Sequence, residues 1–219
     1  MESIKQTRSL SKQSSVVSDV SVNTDQIPQP SFQFEMARRQ EPLAPLYRQS
    51  PEAAWVGDDA FAGTTGEYLK DPLHSKVSIA GFDIPVGVHK AVGGEGDDPV
   101  PGEILSASLA ACLESTIRII ANRLNVALTF LAVTARAEAD VRGTLRFNRE
   151  VPIGFQKISV GVDISVADGT SDGLFSALLK AAETSCVVMQ TLRHPPAIDV
   201  NISRCELADR KGAESHDQA

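Results

Sequence analysis

What this chain lacks narrows its function first. It has only three cysteines in 219 residues, Cys112, Cys186 and Cys205, with no CxxC pair and no Cys/His cluster. An odd count at such spacing is not a disulfide framework, so free thiols or a redox pair are the options in a reducing compartment. Its four histidines, His74, His89, His194 and His216, are scattered, and no metal site is expected. No apolar run approaches the ~20 residues of a membrane span, so no membrane is expected as a partner. The N-terminus lacks the apolar core of a secretory signal, and Glu2 and Asp19 weaken a transit-peptide reading. A cytoplasmic location is the expectation. Positive charge is also short: 21 Lys and Arg stand against 28 Asp and Glu, net -7, which argues against nucleic acid. No GxGxxG follows a strand pattern, and no cofactor is implied. The glycine-rich run Gly93–Pro99 lacks the GK[ST] ending of a phosphate loop, and its three acidic residues would repel phosphate. It reads as a plain loop.

What is present divides into four parts. Residues 1–33 are rich in Ser, Gln, Thr, Val and Pro without a sustained period, and read as a disordered tail. Residues 34–52 read as an N-terminal arm with short helices near Phe34–Arg39 and Pro51–Trp55. Residues 53–207 carry the regular patterns, and 208–219 form a second polar tail. Within the domain, Trp55–Tyr68 reads as a weak hairpin around Gly57-Asp58-Asp59, and Val77–His89 as a stronger one around Gly81. Thr129–Arg142 and Phe155–Val166 alternate as long strands. Leu174–Leu192 carries an amphipathic helical stripe that contains Cys186, with Thr170 or Ser171 as its cap. Pro195-Pro196 ends it, and Ile198–Leu207 closes the domain as a strand. Hairpins, a helix, long strands, a second helix and a strand make the class α+β.

The run Pro101–Leu124 is the centre of this pattern. It has no Pro after its first residue and no Gly after Gly102, and its first half is apolar on nearly every face. Such a helix is expected to be buried on all sides, more than one small sheet can achieve, which points to a dimer. Cys112 sits near its middle. Taken singly, each helical cysteine is most simply a packed core thiol. As a pair, Cys112 and Cys186 also suit redox chemistry, because a second thiol can trap the oxidised form of the first. Cys205, on the last strand, reads as structural.

The run PVPGEILSASLAACLESTIRIIANRLN resembles the first core helix of the OsmC/Ohr family, whose pattern is Pro-x-Glu-Leu-Leu, a stretch of small residues, then Ala-Ala-Cys. The run ETSCVVMQTLR is similar to that family's second helix, with Ser-Cys-Pro-Val and a later leucine. The loop before and the strands between also fit, and the resemblance spans roughly Asp71–Cys205. It implies antiparallel sheets wrapped around long central helices in an intertwined homodimer, with the site at the dimer interface. It also implies a thiol-dependent peroxidase acting on organic hydroperoxides or hydrogen peroxide. Cys112 would be the peroxidatic thiolate and Cys186 the resolving thiol, and a dithiol would be the reductant. The alternative is a non-catalytic OsmC-fold protein, associated with stress or binding a small molecule.

This sequence departs from the peroxidase pattern at two places. Those branches carry a Glu ten residues before the cysteine, helping to hold an Arg over the thiolate; here that position is Gly102. Glu103 is nine before, and nine residues of continuous helix turn through about 900°, which puts it opposite Cys112. A first-turn charge meeting the helix dipole is its plainer role. Arg48 is a candidate for the family's Arg, with Arg118, Arg142 and Arg193 as others, and a surface or ion-pairing role is the plainer reading of each. Val187 replaces the family's Pro after the second cysteine. Ser108, one turn before Cys112, is a candidate partner for its sulfur, and otherwise packs as a small residue. His89 stands at a strand end where it either lines the pocket or is satisfied locally, and His194 carries no assigned role.

Overall fold

The fold is that of a computed structural model, which describes residues 34–64 and 69–204. The two expected tails, Tyr68 and Cys205 lie outside those residues. The arm forms helices α1 (Glu35–Gln40) and α2 (Leu43–Gln49) and a 3-10 turn at Pro51–Ala54. Arg38 and Arg39 both reach back to Glu35 within α1, the favourable spacing for opposite charges on a helix. The Met36 amide donates to Asn122 Oδ1 at 2.9 Å, tying the arm to the far end of the long helix.

Strand β1 (Ala60–Ala62) does not form the hairpin expected for Trp55–Tyr68. It pairs antiparallel with β2 (Ser75–Ile79), Ala60 opposite Ile79. The acidic turn residues do not return the chain on itself; a distant edge provides the partner instead. The hairpin of β2 with β3 (Phe82–Val86) forms as expected, with Val77 opposite Ile84. Its two-residue turn needs positive φ at both positions, and Ala80 and Gly81 provide 50° and 83°. The loop that follows is tightly folded. A Cβ at Gly94 would lie 1.9 Å from the Val88 carbonyl oxygen, so only glycine fits there.

Helix α3 (Pro101–Arg123) starts with Pro at its first position and ends before Asn125, which takes φ 55°. Glu103 Oε2 accepts the Val100 amide at 3.0 Å, satisfying a backbone donor that the helix itself cannot. Its buried residues are Leu109, Leu113, Ile117 and Ala121, one every fourth position. Within a single chain the helix is not buried on all sides: one stripe is fully covered, and the other faces are half-buried or exposed. Eighteen residues of α3 meet the length and composition of a membrane span, which the sequence reading did not anticipate. The core helix of a globular domain passes the same test, and the covered stripe shows that packing.

Strands β4 (Leu128–Glu138) and β5 (Lys157–Val166) pair antiparallel with Val133 opposite Val162 and an irregularity at Leu128/Phe130. Val160, Val162 and Ile164 point toward α3, and Ser159, Gly161, Asp163 and Ser165 point out, the alternation of a sheet covered on one face. β4 stops short of the expected Arg142. Asp140 Oδ1 accepts the Arg142 amide at 3.0 Å and starts the single turn α4 (Val141–Thr144).

Helix α5 (Asp172–Ser185) is capped by Ser171, whose Oγ accepts the Leu174 amide at 3.3 Å. The single expected helix through Cys186 is in fact two: the chain turns extended at Cys186 and resumes as α6 (Val187–Arg193). The expected last strand is not formed over residues 198–204. Ile198, Val200 and Ile202 are 85%, 74% and 89% exposed. Alternation stabilises a strand only when a sheet edge and a face receive it. Among the described residues the sheets are β1-β2-β3 and β4-β5, both antiparallel, so the class is α+β as expected.

Ile117 is 1% exposed and central to the cluster of Leu109, Leu113, Ala182 and Cys186. Ile117→Ala should destabilise the fold by about 2–5 kcal/mol, read as a lower midpoint in urea with an unchanged slope.

Candidate functional site

The site is made where α3 meets the break between α5 and α6. Cys186 has φ -73° and ψ 106°, so the chain leaves the helix there. Its amide still donates to the Ala182 carbonyl at 3.0 Å, and its carbonyl accepts from the Gln190 amide at 2.9 Å. The side chain is 0% exposed. Cys112 is half-buried on α3 and packs against the cluster that contains Cys186, near enough for each thiol to influence the other's ionisation. The two candidate cysteines are thus brought together as free thiols, 74 positions apart in sequence.

Burial is the main influence on Cys186 and pushes its thiol above the ordinary value. The Met189 amide opposes this, the Cys112 sulfur reinforces it, and the Val188 amide opposes it weakly. These amides belong to the first turn of α6, where unpaired N–H groups favour an anion; no full capping hydrogen bond is formed. Burial prevails, so Cys186 is held protonated. A protonated buried thiol is a proton source and a poor nucleophile by itself.

The remaining candidates fall elsewhere. α3 is unbroken between Glu103 and Cys112, which separates them by about 13 Å along the axis. Glu103 caps the helix. Arg48 lies exposed on α2. Arg118 is paired with Glu114 at 2.7 Å, Arg142 with Asp140, and Arg193 with Glu183 at 2.7 Å. Among the described residues no arginine is hydrogen-bonded to either sulfur. Ser108 is exposed, and the hydroxyl that does bond near Cys112 is Thr116, which donates to the Cys112 carbonyl at 2.7 Å. His89 Nδ1 accepts the Ala91 amide at 2.9 Å, so the locally satisfied role holds for that nitrogen. His194 is exposed at the end of α6.

Gly102 has a physical explanation that the sequence does not reveal. A Cβ there would lie 2.8 Å from Phe155 Cζ. The aromatic ring occupies the volume that a side chain at position 102 would need.

The sequence reading also missed His74. Its Nδ1 lies 2.9 Å from Asp71 Oδ2 and its Nε2 3.0 Å from Asp97 Oδ2. The hydrogen bond to Asp71 and then that to Asp97 raise its pKa to about 9. The pair joins the entry of β2 to the loop before α3, and only the spacing of three between Asp71 and His74 was visible in sequence. His74, Asp97 and Asp98 offer ligand atoms within 4.8 Å of one another. At neutral pH the protonated ring already uses both nitrogens, which disfavours a cation.

The sign of this latch follows from the shift. A raised folded pKa means the contact is fully present below the ordinary value of 6.5 and is lost as pH rises through about 9. The His74 ring should titrate by NMR with a midpoint near 9, falling toward the ordinary value in Asp97→Asn. Loop 93–98 should exchange its amides faster above that pH.

Two of three comparisons with known proteins find relatives of this architecture. A search of curated proteins found no match. An OsmC-like protein from Mycoplasma pneumoniae is 15% identical with a TM-score of 0.51, covering 64% of this chain and 89% of that one. An OsmC-like protein of unknown function from Vibrio cholerae is 14% identical with a TM-score of 0.50, covering 63% and 94%. An organic hydroperoxide resistance protein OsmC from Legionella pneumophila is 21% identical with a TM-score of 0.47, covering 64% and 92%. At these identities the likeness is one of fold. The family model for OsmC-like protein matches residues 94–201, so the span that holds α3, both long strands, the helix break, Cys112 and Cys186 is an OsmC-like domain.

Proposed function

We propose that this chain is a thiol-dependent peroxidase that reduces organic hydroperoxides or hydrogen peroxide through Cys112 and Cys186. The observation that carries this reading is the packing of a half-exposed thiol on α3 against the core cluster that holds a fully buried thiol at the α5–α6 break. The Cys112 thiolate attacks the terminal oxygen of ROOH. The O–O bond breaks, sulfur is oxidised to the sulfenic acid, and the alkoxide takes a proton and leaves as ROH. Cys186 then condenses with that sulfenic acid, forming the disulfide and releasing water. A dithiol reductant exchanges with the disulfide and restores both thiols. A reducing compartment such as the cytoplasm suits this cycle. Arg48 is the candidate cation for Cys112. Glu103 enters the site only if a second copy of the chain presents it, given the unbroken helix.

A homodimer is part of the same proposal. The uncovered faces of α3 and the exposed alternation Ile198, Val200, Ile202 together support it. Light scattering should give twice the chain mass at micromolar concentration, and Ile198→Asp with Ile202→Asp should shift it toward the monomer. A wild-type monomer at that concentration excludes the dimer.

A second reading, an OsmC-fold protein that binds a small molecule without catalysis, is favoured by one observation. Phe155 takes the place of a carboxylate beside the start of α3, and no arginine bonds either sulfur among the described residues. Hydroperoxide consumption with dithiothreitol separates the two. Cys112→Ser should fall to the uncatalysed rate. Cys186→Ser should keep a single turnover and lose steady cycling. Equal rates in wild type and both variants sink the peroxidase, and a wild type no faster than a free thiol selects the binding protein.

A further inference from the structure

The break between α5 and α6 is braced by side chains. In an unbroken helix the Glu183 carbonyl would receive the Val187 amide. Here Cys186 is extended, α6 starts at Val187, and Gln190 Nε2 donates to the Glu183 carbonyl at 2.9 Å. Arg193 Nη2 donates to the Glu183 carboxylate at 2.7 Å. Gln190 and Arg193 lie three apart on one side of α6, so both reach the same residue of α5. The Gln190 backbone amide adds a bond to the Cys186 carbonyl at 2.9 Å. Val188, Met189 and Leu192 pack on the core cluster that holds Cys186. α6 is thus a short cover, seated on the core by its apolar residues and tied to α5 by Gln190 and Arg193.

The two sulfurs are left unequal. Cys186 is 0% exposed, and Cys112 is half-buried. Cover that one chain completes by itself is not lifted by a second copy, so Cys186 stays closed in a dimer as well.

On the basis of the two-cysteine cycle proposed above, we infer that an external thiol attacks the disulfide at the Cys112 sulfur and not at Cys186, and that Glu183, Gln190 and Arg193 are positioning residues that enforce this choice. The reductant thiolate bonds to Cys112 Sγ, and the Cys112–Cys186 bond breaks. Its electron pair leaves on Cys186 Sγ, which takes a proton, and the second thiol of the reductant gives one up. The new thiolate attacks the reductant's first sulfur. That closes the reductant disulfide and releases Cys112 as the thiolate that meets the next hydroperoxide. The reductant is oxidised to its disulfide, and the protein disulfide is reduced. Leaving-group strength alone favours the opposite course, because burial makes Cys186 the poorer thiolate. Access decides against it. Arg193, a sequence candidate for the activating cation, belongs to the brace instead.

The position of a trapped adduct tests this. The full-length protein carrying Cys205→Ser is oxidised with diamide, which makes the disulfide without hydroperoxide, and then given a short pulse of glutathione. Acid quenching, alkylation in denaturant and peptide mass spectrometry show which sulfur holds glutathione. It should be Cys112. Gln190→Ala combined with Arg193→Ala should speed maleimide labelling of Cys186 in the reduced protein about ten-fold, through loss of two hydrogen bonds that hold the cover. Glutathione should then also appear on Cys186. Arg193→Lys, which keeps a cation for Glu183, should stay near wild type. Arg118→Ala, which removes a comparable exposed pair with Glu114, should change neither value. Glutathione on Cys186 in the unbraced comparison's parent, the protein with its brace intact, overturns the inference. So does failure of diamide to join Cys112 to Cys186. Unchanged labelling in the double variant overturns the role of the brace. Hydroperoxide consumption by the same sample separates this from the peroxidase reading. Adducts on Cys186 in a protein that consumes hydroperoxide sink the order of attack alone. Adducts on Cys112 in a protein that does not consume it sink the peroxidase and leave the order of attack standing.

Discussion

The stripe Leu109, Leu113, Ile117 and Ala121 on α3 is the surface on which the rest of the domain is assembled. Its four-residue spacing gives one continuous apolar ridge on a straight helix. Val160, Val162 and Ile164 of β5 cover it from the sheet, and Ala182 and Cys186 from the helix break. A second small cluster, Ala121, Val126 and Leu178, closes the lower end. Because the ridge is shared, the depth at which Cys186 is buried and the face on which Cys112 stands are set by the same packing.

That packing also keeps the thiols apart from the start of α3. They lie on the side toward the helix break, and the helix is unbroken from Pro101 to Arg123. A side chain at position 102 or 103 cannot reach Cys112 within one chain. Gly102 is therefore explained by its own neighbourhood, where the Phe155 ring needs the space. His74, Arg136 and Glu138 each face an opposite charge, and Glu103 accepts the Val100 amide.

The elements with strong local patterns were legible in the sequence. The β2–β3 hairpin announced itself by alternation on either side of Gly81, and α3 by its length, its Pro101 start and its lack of breakers. Ser171 was readable as a cap. Elements that need a distant partner were not. β1 pairs with β2 across a gap of twelve residues, and nothing in Trp55–Tyr68 encodes that choice. Residues 198–204 alternate as a strand does, yet take no regular form over that span, since pattern alone supplies no edge. The break at Cys186 was hidden because Ser185, Cys186 and Val187 are all compatible with a helix; the turn follows from how α6 folds back over the core.

The sequence by itself determined the α+β class, the central helix and the two cysteines worth pairing, because periodicity, capping residues and motif spacing are local properties. Tertiary structure alone decided that those thiols share one core cluster, that Cys186 is held protonated by burial, that His74 is clamped between two carboxylates and that Phe155 lies over Gly102. Each of these depends on residues far apart in the chain meeting in a dense interior, and on the loss of water there, which local sequence does not specify.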